Sequence, residues 1–137
     1  METRIYDGTD AVFGRISSLV AKDLLKGYSV NLINCEKIIV SGDKKKFVEN
    51  INRKRAMGNG ASMKGPKYPK VADRLVKRMI RGMLPWDRQK GRDAFKNLKC
   101  YVGNGGIKED SLKNVIKIEY KKPMKYFTIK EAMRLLS

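Results

Sequence analysis

Five cations recur between residues 70 and 81 at spacings that bring them together: Lys70, Arg74, Lys77, Arg78 and Arg81. On a helical wheel they fall within an arc of about 100°, and no acid shares it. Val71, Ala72, Leu75, Val76, Met79, Ile80 and Met83 fill the opposite half. A solvated helix face usually mixes signs, for i,i+4 pairing and for solubility. A face of one sign suits phosphate tracking, because each phosphate contact releases a condensed counterion. Two neighbouring segments fit the same chemistry. Arg53-Lys54-Arg55 leads into a loop at about 57–69, first rich in small residues and then basic and turn-forming, Lys64-Gly65-Pro66-Lys67-Tyr68-Pro69. Lys64 and Lys67 suit phosphate contacts, Tyr68 suits stacking on a base or sugar, and glycine permits close backbone approach. Beyond the helix, Pro85 marks a stop, and Trp86 lies between Arg81 and Arg88, followed by Lys90 and Arg92. Arginine offers a planar, multi-donor head to phosphate that lysine lacks. Trp86 itself reads as a hinge or partial core residue rather than a stacking platform. The run Lys44-Lys45-Lys46 reads as a solvated helix start.

Catalytic chemistry finds little support. The chain has no histidine, which removes the commonest general base and most zinc and triad chemistry. No P-loop is present, and no Gly-x-Gly-x-x-Gly follows the first strand. Cys35 and Cys100 sit in apolar runs and read as small buried residues on strands. Two cysteines without histidine do not make a standard structural zinc site. A disulfide does not suit so basic an intracellular-looking chain, and Cys35 has no partner base that would make it a nucleophile. Gly103-Asn104-Gly105-Gly106 reads as a turn rather than a phosphate cradle. We therefore expect no catalytic residue, metal, cofactor or small-molecule substrate.

The elements that must position these cations are those of one domain, since the chain has 137 residues. Its net charge is +17, unevenly placed. Residues 1–40 balance five bases against five acids, whereas residues 41–99 set eighteen bases against five acids. Residues 100–137 set eight against four. The ends look like scaffold and the middle carries the field, which self-repels unless a polyanion offsets it.

Strands are expected at 4–7, 28–34 and 98–102, with further extended runs at 38–40 and 115–119. Helices are expected from about Ala11, capped by Asp10, to Lys26 before a Gly27 stop; over 44–51, capped by Asp43; from Pro69 to about Met83; over 88–97; and from a Thr128 cap to Leu136. This β/α alternation favours a mainly parallel sheet with helices on both faces. Residues 1–40 and 98–102 are expected to supply sheet and core. The N-terminus shows no signal peptide, and no apolar run approaches the length of a membrane span, so the cytoplasm is the default.

Three blocks of residues resemble a known family. Phe13-Gly14-Arg15-Ile16-Ser17-Ser18-Leu19-Val20-Ala21-Lys22 is similar to its LGRLAS helix. Asn34-Cys35-Glu36 with Ser41-Gly42 is similar to a strand and turn. Arg81-Gly82-Met83-Leu84-Pro85, then Gly91 and Leu98-Lys99-Cys100-Tyr101-Val102-Gly103, is similar to its most specific block. The family is the universal large-subunit ribosomal protein thirteen. The resemblance implies a three-layer α/β/α domain on a mainly parallel four-stranded sheet, spanning residues 1–137 as one rRNA-binding domain. It implies binding to large-subunit rRNA beside neighbouring large-subunit proteins, a role in subunit assembly, and RNA contact at Arg81, Gly82, Met83 and Pro85. Cys35 stands where alanine is usual, and Trp86-Asp87 replaces a more basic pair. The histidine-bearing tail of bacterial members has no counterpart, which points to an archaeal- or eukaryotic-type member.

The rival readings are an enzyme on a doubly wound sheet, a regulator binding mRNA or protein outside the ribosome, and a membrane-surface protein. The missing histidines and phosphate fingerprint oppose the first. The third would need the apolar face of the 70–83 helix, which the core also needs.

Overall fold

The β-rich runs at 3–7 and 29–33 lie side by side as β1 (Thr3–Asp7) and β2 (Ser29–Ile33), joined in parallel by α1 (Phe13–Leu25). The computed structural model describes residues 2–58, 60–61, 64–118 and 120–136. β4 (Leu98–Cys100) pairs in parallel with the other edge of β2, so the sheet order is β1-β2-β4. Both faces of this sheet bury apolar side chains. Tyr6, Val30, Leu32 and Leu98 alternate with Ile5 and Ile33, and all are buried.

The fold class is mixed α/β, but the expected four-stranded parallel sheet is a three-stranded one. The run at 38–40 becomes β3 (Ile39–Ser41), which pairs antiparallel with β5 (Tyr126–Thr128) in a separate two-stranded sheet. Only the short 3₁₀ turn Cys35–Lys37 separates β3 from β2. A parallel return requires a crossover of a dozen or more residues, and both edges of β2 are taken by β1 and β4, so β3 does not rejoin beside β2. The 115–119 run contributes one parallel bridge, Tyr6 to Ile116, with the Ile116 N–H donating to Ile5 O at 2.8 Å. Position 119 lies outside the described residues.

Asp10 does not cap α1. It lies at φ 56, and Val12 takes the N-cap position without a side-chain bond. Residues 11 and 12 are held extended against β3 instead: the Ile39 N–H donates to Ala11 O at 2.8 Å, and Val12 bridges Ile39. At the other end the Gly27 stop is borne out. Gly27 has φ +99, its N–H donates to Leu24 O, and the Tyr28 N–H donates to Asp23 O, the paired bonds of a Schellman cap. Asp43 caps α2 (Lys44–Arg55) by accepting from Lys45 N at 3.0 Å, and α2 runs four residues past its expected end at Ile51. Thr128 caps α6 (Ile129–Leu135), accepting from Glu131 N at 3.3 Å. Between them lie α3 (Ala72–Arg81), α4 (Gln89–Lys96) and the single turn α5 (Glu109–Leu112).

The main core joins Ile16, Val20 and Leu24 of α1 to Val30, Leu32, Leu98, Val76, Ile80, Ala94 and Ile129. A satellite of Val48, Phe127 and Ala132 seats α2 on α6. The C-terminal segment therefore supplies core as well as residues 1–40 and 98–102, because β5 and α6 cover β3 and α2.

Segments far apart in sequence are tied by polar contacts. Asn34 lies at φ 54, and its Nδ2 donates to Asp7 Oδ1 at 3.0 Å. Burial pushes the Asp7 carboxyl up, but donors from Asn34 and Thr9 outweigh it and hold the group below its ordinary value. The Gly103 N–H donates to Glu36 Oε2 at 3.1 Å, and the Asn34 N–H donates to Gly103 O at 2.9 Å. Beneath α1 the Asp23 carboxylate is buried, paired to Arg4 Nη1 at 3.1 Å, and accepts from the Tyr6 hydroxyl.

Burial first, and then the Asp23 carboxylate, push the Tyr6 pKa up from 10.0 to about 12. A folded-state value above the unfolded one means the Tyr6 contribution is full below pH 10 and is lost as the pH rises through about 12. We predict a fall in unfolding free energy across that alkaline window, measured by urea denaturation at successive pH values. Tyr6→Phe should flatten that fall and lower stability at neutral pH by about 1 kcal/mol, the usual worth of one lost hydrogen bond.

Candidate nucleic-acid interface

Burial of Ala72, Leu75, Val76 and Ile80 fixes the roll of α3. The opposite side then carries Arg74, Lys77, Arg78 and Arg81 outward, as the wheel predicts. Val71 and Met83 were assigned to the apolar half, but the helix ends short of both, and they are 50% and 40% exposed. Lys70 lies just before the helix and is exposed.

Aromatic rings lie beneath three of these cations. Lys77 Nζ is 4.9 Å from the centre of the Phe95 ring, Arg78 Cζ is 4.9 Å from Tyr68, and Arg81 Cζ is 3.9 Å from Trp86. Lys54 at the end of α2 reaches the Tyr68 ring as well, at 5.5 Å. Tyr68 thus joins α2, the loop and α3 into one face. Among the described residues, none of Arg74, Lys77, Arg78 and Arg81 forms an ion pair. The nearest acid in sequence, Asp73, accepts from the Arg74 backbone N–H at 2.8 Å.

A cleft of about 330 Å³ on the β4 side of the face is lined by Asp73, Arg74, Lys77 and Lys99, and three adjoining clefts open on the Tyr68 and Trp86 side. One of about 310 Å³ is lined by Arg55, Pro66, Lys67, Tyr68 and Pro69. A second, about 300 Å³, includes Lys54, Tyr68, Arg78 and Gly82. A third, about 460 Å³, lies between Pro69, Arg74, Lys77, Arg81, Trp86 and Phe95. In the 57–69 loop, a Cβ at Gly65 would lie 2.0 Å from Met57 O, so the loop closes back onto its own start and only glycine fits. Positions 59, 62 and 63 of that loop lie outside the described residues. Lys64 is exposed.

The corner after α3 is tightly built. A Cβ at Gly91 would lie 2.2 Å from Pro85 O, and Leu84 is buried beneath. Arg92 Nε donates to Trp86 O at 2.8 Å and Nη2 to Asp87 O at 3.2 Å, so this guanidinium holds the corner's backbone. The Trp86 and Phe95 rings meet edge to face at 5.3 Å. Arg88 and Lys90, at the start of α4, are exposed outside the clefts. Arg53 Nη2 donates to Asn50 Oδ1 at 3.0 Å. Gly82 and Met83 are exposed on the turn and Pro85 is half-buried.

Sequence reasoning missed Phe95. Its one signal was being the sole aromatic residue in a polar helix, and its partner Trp86 is reached only through the Pro85 corner. A further cationic cleft of about 410 Å³, lined by Arg15, Lys121, Lys122 and Met124, also went unread. Cys35 lies on the 3₁₀ turn rather than a strand, buried and free, and Cys100 is free on β4. The neighbouring Cys100 thiol and burial push the Cys35 thiol up, away from a reactive thiolate. Among the described residues no cluster of histidine, cysteine or acids could hold a metal, and no helix is long and apolar enough to cross a membrane.

The profile of the family described as Ribosomal protein L13 matches residues 1–106. The chain is 43% identical over 102 residues to large ribosomal subunit protein uL13 of Methanopyrus kandleri, covering 74% of this chain and 63% of that protein. It is 34% identical over 136 residues to uL13 of Archaeoglobus fulgidus, covering 96% of this chain and 86% of that one. Against uL13 of Picrophilus torridus it is 37% identical over 133 residues, with 95% and 94% covered.

The corner's tight packing generates a direct test. Gly91→Ala forces a methyl against the Pro85 carbonyl and should cost about 1–3 kcal/mol, as overpacking does. Thermal unfolding should show a lower Tm, and the emission of Trp86, the chain's one tryptophan, should shift. An unchanged Tm and spectrum would mean the corner yields freely.

Proposed function

The chain belongs to the ribosomal protein L13 family, structural and non-enzymatic components of the large ribosomal subunit, and we propose that it binds large-subunit rRNA and supports subunit assembly in the cytoplasm. Residues 1–137 act as one domain in this reading, with helices layered on both faces of the sheet. One observation carries the interface: the four outward cations of α3 share a face with no ion-pair partner among the described residues. A polyanion completes that arrangement, and duplex or folded RNA supplies the charge at matching density.

The roles divide by geometry. Arg74, Lys77, Arg78 and Arg81 track phosphates, with Lys54, Arg55, Lys64, Lys67 and Lys70 continuing the track along the loop and α2. Arg53, Arg88 and Lys90 extend it at the rims. Tyr68 stacks against a sugar or base between Lys54 and Arg78. Gly82, Met83 and Pro85 bring backbone and an exposed thioether close to the RNA at the corner, which Arg92 holds in shape. Neighbouring large-subunit proteins complete the contacts.

Two measurements test this. Tagged protein should sediment with large subunits on a sucrose gradient and stay there through a high-salt wash. Migration at the top of the gradient would favour a regulator working off the ribosome. With purified protein and an rRNA fragment, Arg74→Ala and Arg78→Ala should each weaken binding and lower the slope of log K against log salt by about one unit. An unchanged slope would remove α3 from the interface.

A further inference from the structure

We propose that the cleft between α3 and α4 is a nucleotide pocket that takes one unstacked base of a single-stranded or looped RNA. It is lined by the Trp86–Phe95 pair together with Arg74, Lys77 and Arg81. The inference rests on the RNA-binding reading and specifies what that surface recognises.

Three features of the cleft separate it from a face that only tracks phosphates. Its wall is aromatic where a duplex-tracking surface needs none: Trp86 is 37% exposed, with Phe95 set edge to face against it. Its volume of about 460 Å³ exceeds the about 310 and 300 Å³ of the two adjoining clefts and lies within the roughly 300–1,000 Å³ of small-ligand sites. Its cations lie over and beside the rings, Lys77 over Phe95 and Arg81 over Trp86, so a base ring that stacks in the cleft keeps its own phosphates within their reach. The wall is also held in advance, by the Arg92 bonds to Trp86 O and Asp87 O and by the close seat of Gly91 under Pro85. Arg81, 3.9 Å over the Trp86 ring, adds a planar cation on which a base can also stack. A base paired within a helix cannot enter such a pocket, whereas RNA loops and bulges offer bases that can. An acidic protein segment would match the charge, but only a nucleotide carries a planar ring and a phosphate on every residue.

Trp86 is the chain's one tryptophan and so reports on its own pocket. Full-length protein is titrated with a twelve-nucleotide single-stranded RNA, a duplex RNA of equal charge, and inorganic polyphosphate of equal charge. Single-stranded RNA should quench Trp86 emission, and the duplex and polyphosphate should bind with little quenching. Trp86→Leu should weaken single-strand binding on the order of tenfold, within the range for loss of one stacked base, and weaken duplex binding, where only the support under Arg81 is lost, by no more than about threefold. Trp86→Phe should recover most of the loss, and circular dichroism of both variants checks the fold. Should Trp86→Leu misfold, quenching in the wild type and single-strand binding by Trp86→Phe still decide the matter. Equal quenching by polyphosphate, or unchanged single-strand binding by Trp86→Leu, overturns the pocket while leaving RNA binding intact. Failure of the wild type to bind any RNA overturns the RNA-binding reading itself.

Discussion

Leu75, Val76 and Ile80 must be buried, and that requirement sets the orientation of everything that faces outward from α3. Once those side chains pack on β4 and the 35–37 turn, Arg74, Lys77, Arg78 and Arg81 are forced onto one face. Like charges a few ångströms apart repel by about 1 kcal/mol per pair even in water. The protein does not relieve this with acids. It relieves it in part with ring faces, since Tyr68, Phe95 and Trp86 each present a negative quadrupole to a cation. The remaining field stays unsatisfied in the free protein, and a phosphate backbone removes it.

Such a face needs a scaffold that does not add to the repulsion. Residues 1–40 are electrically neutral and hold β1, β2 and the 35–37 turn against which α3 packs. The residues that most resemble the family in this region do structural work. Asn34 ties the end of β1 to the end of β2 through Asp7, and Glu36 receives the Gly103 N–H across the sheet edge. The 34–36 block and the 98–103 end of the last block are therefore one physical unit. The 81–85 part of that last block, with Gly91, is the corner whose tightness positions Trp86.

Helical periodicity made α3 legible because its apolar and cationic positions separate cleanly on the wheel. The stops and caps at Gly27, Asp43 and Thr128 were legible because each acts within a few residues of its own position. What could not be read was non-local. The pairing of β3 with β5 depends on a segment from the far end of the chain, and no local pattern in Ile39-Val40-Ser41 distinguishes an antiparallel partner from a parallel one. Asp10 has the right chemistry for a cap, yet the bridge from Val12 to Ile39 decides where α1 begins. The Trp86–Phe95 contact depends on the angle at which the Pro85 corner sends α4 back toward α3, so Trp86 read as a hinge when it also walls a cleft.

The rings beneath the cations also bear on how tightly such a surface binds. An arginine or lysine loses rotamer freedom when it grips a phosphate, at about 0.5–1.5 kcal/mol for each side chain immobilised. Lys77, Arg78 and Arg81 already rest on rings and are half-buried, so much of that freedom is gone before RNA arrives. Lys67, Lys70 and Arg74 are exposed and have more of it to lose. Equal numbers of phosphate contacts are thus unequal in free energy. In the proposed interface, the cations nearest the Tyr68, Phe95 and Trp86 rings would contribute most per contact. On the proposed reading, the aromatic residues that make a basic face tolerable in the free protein are the same ones that would concentrate its affinity for RNA.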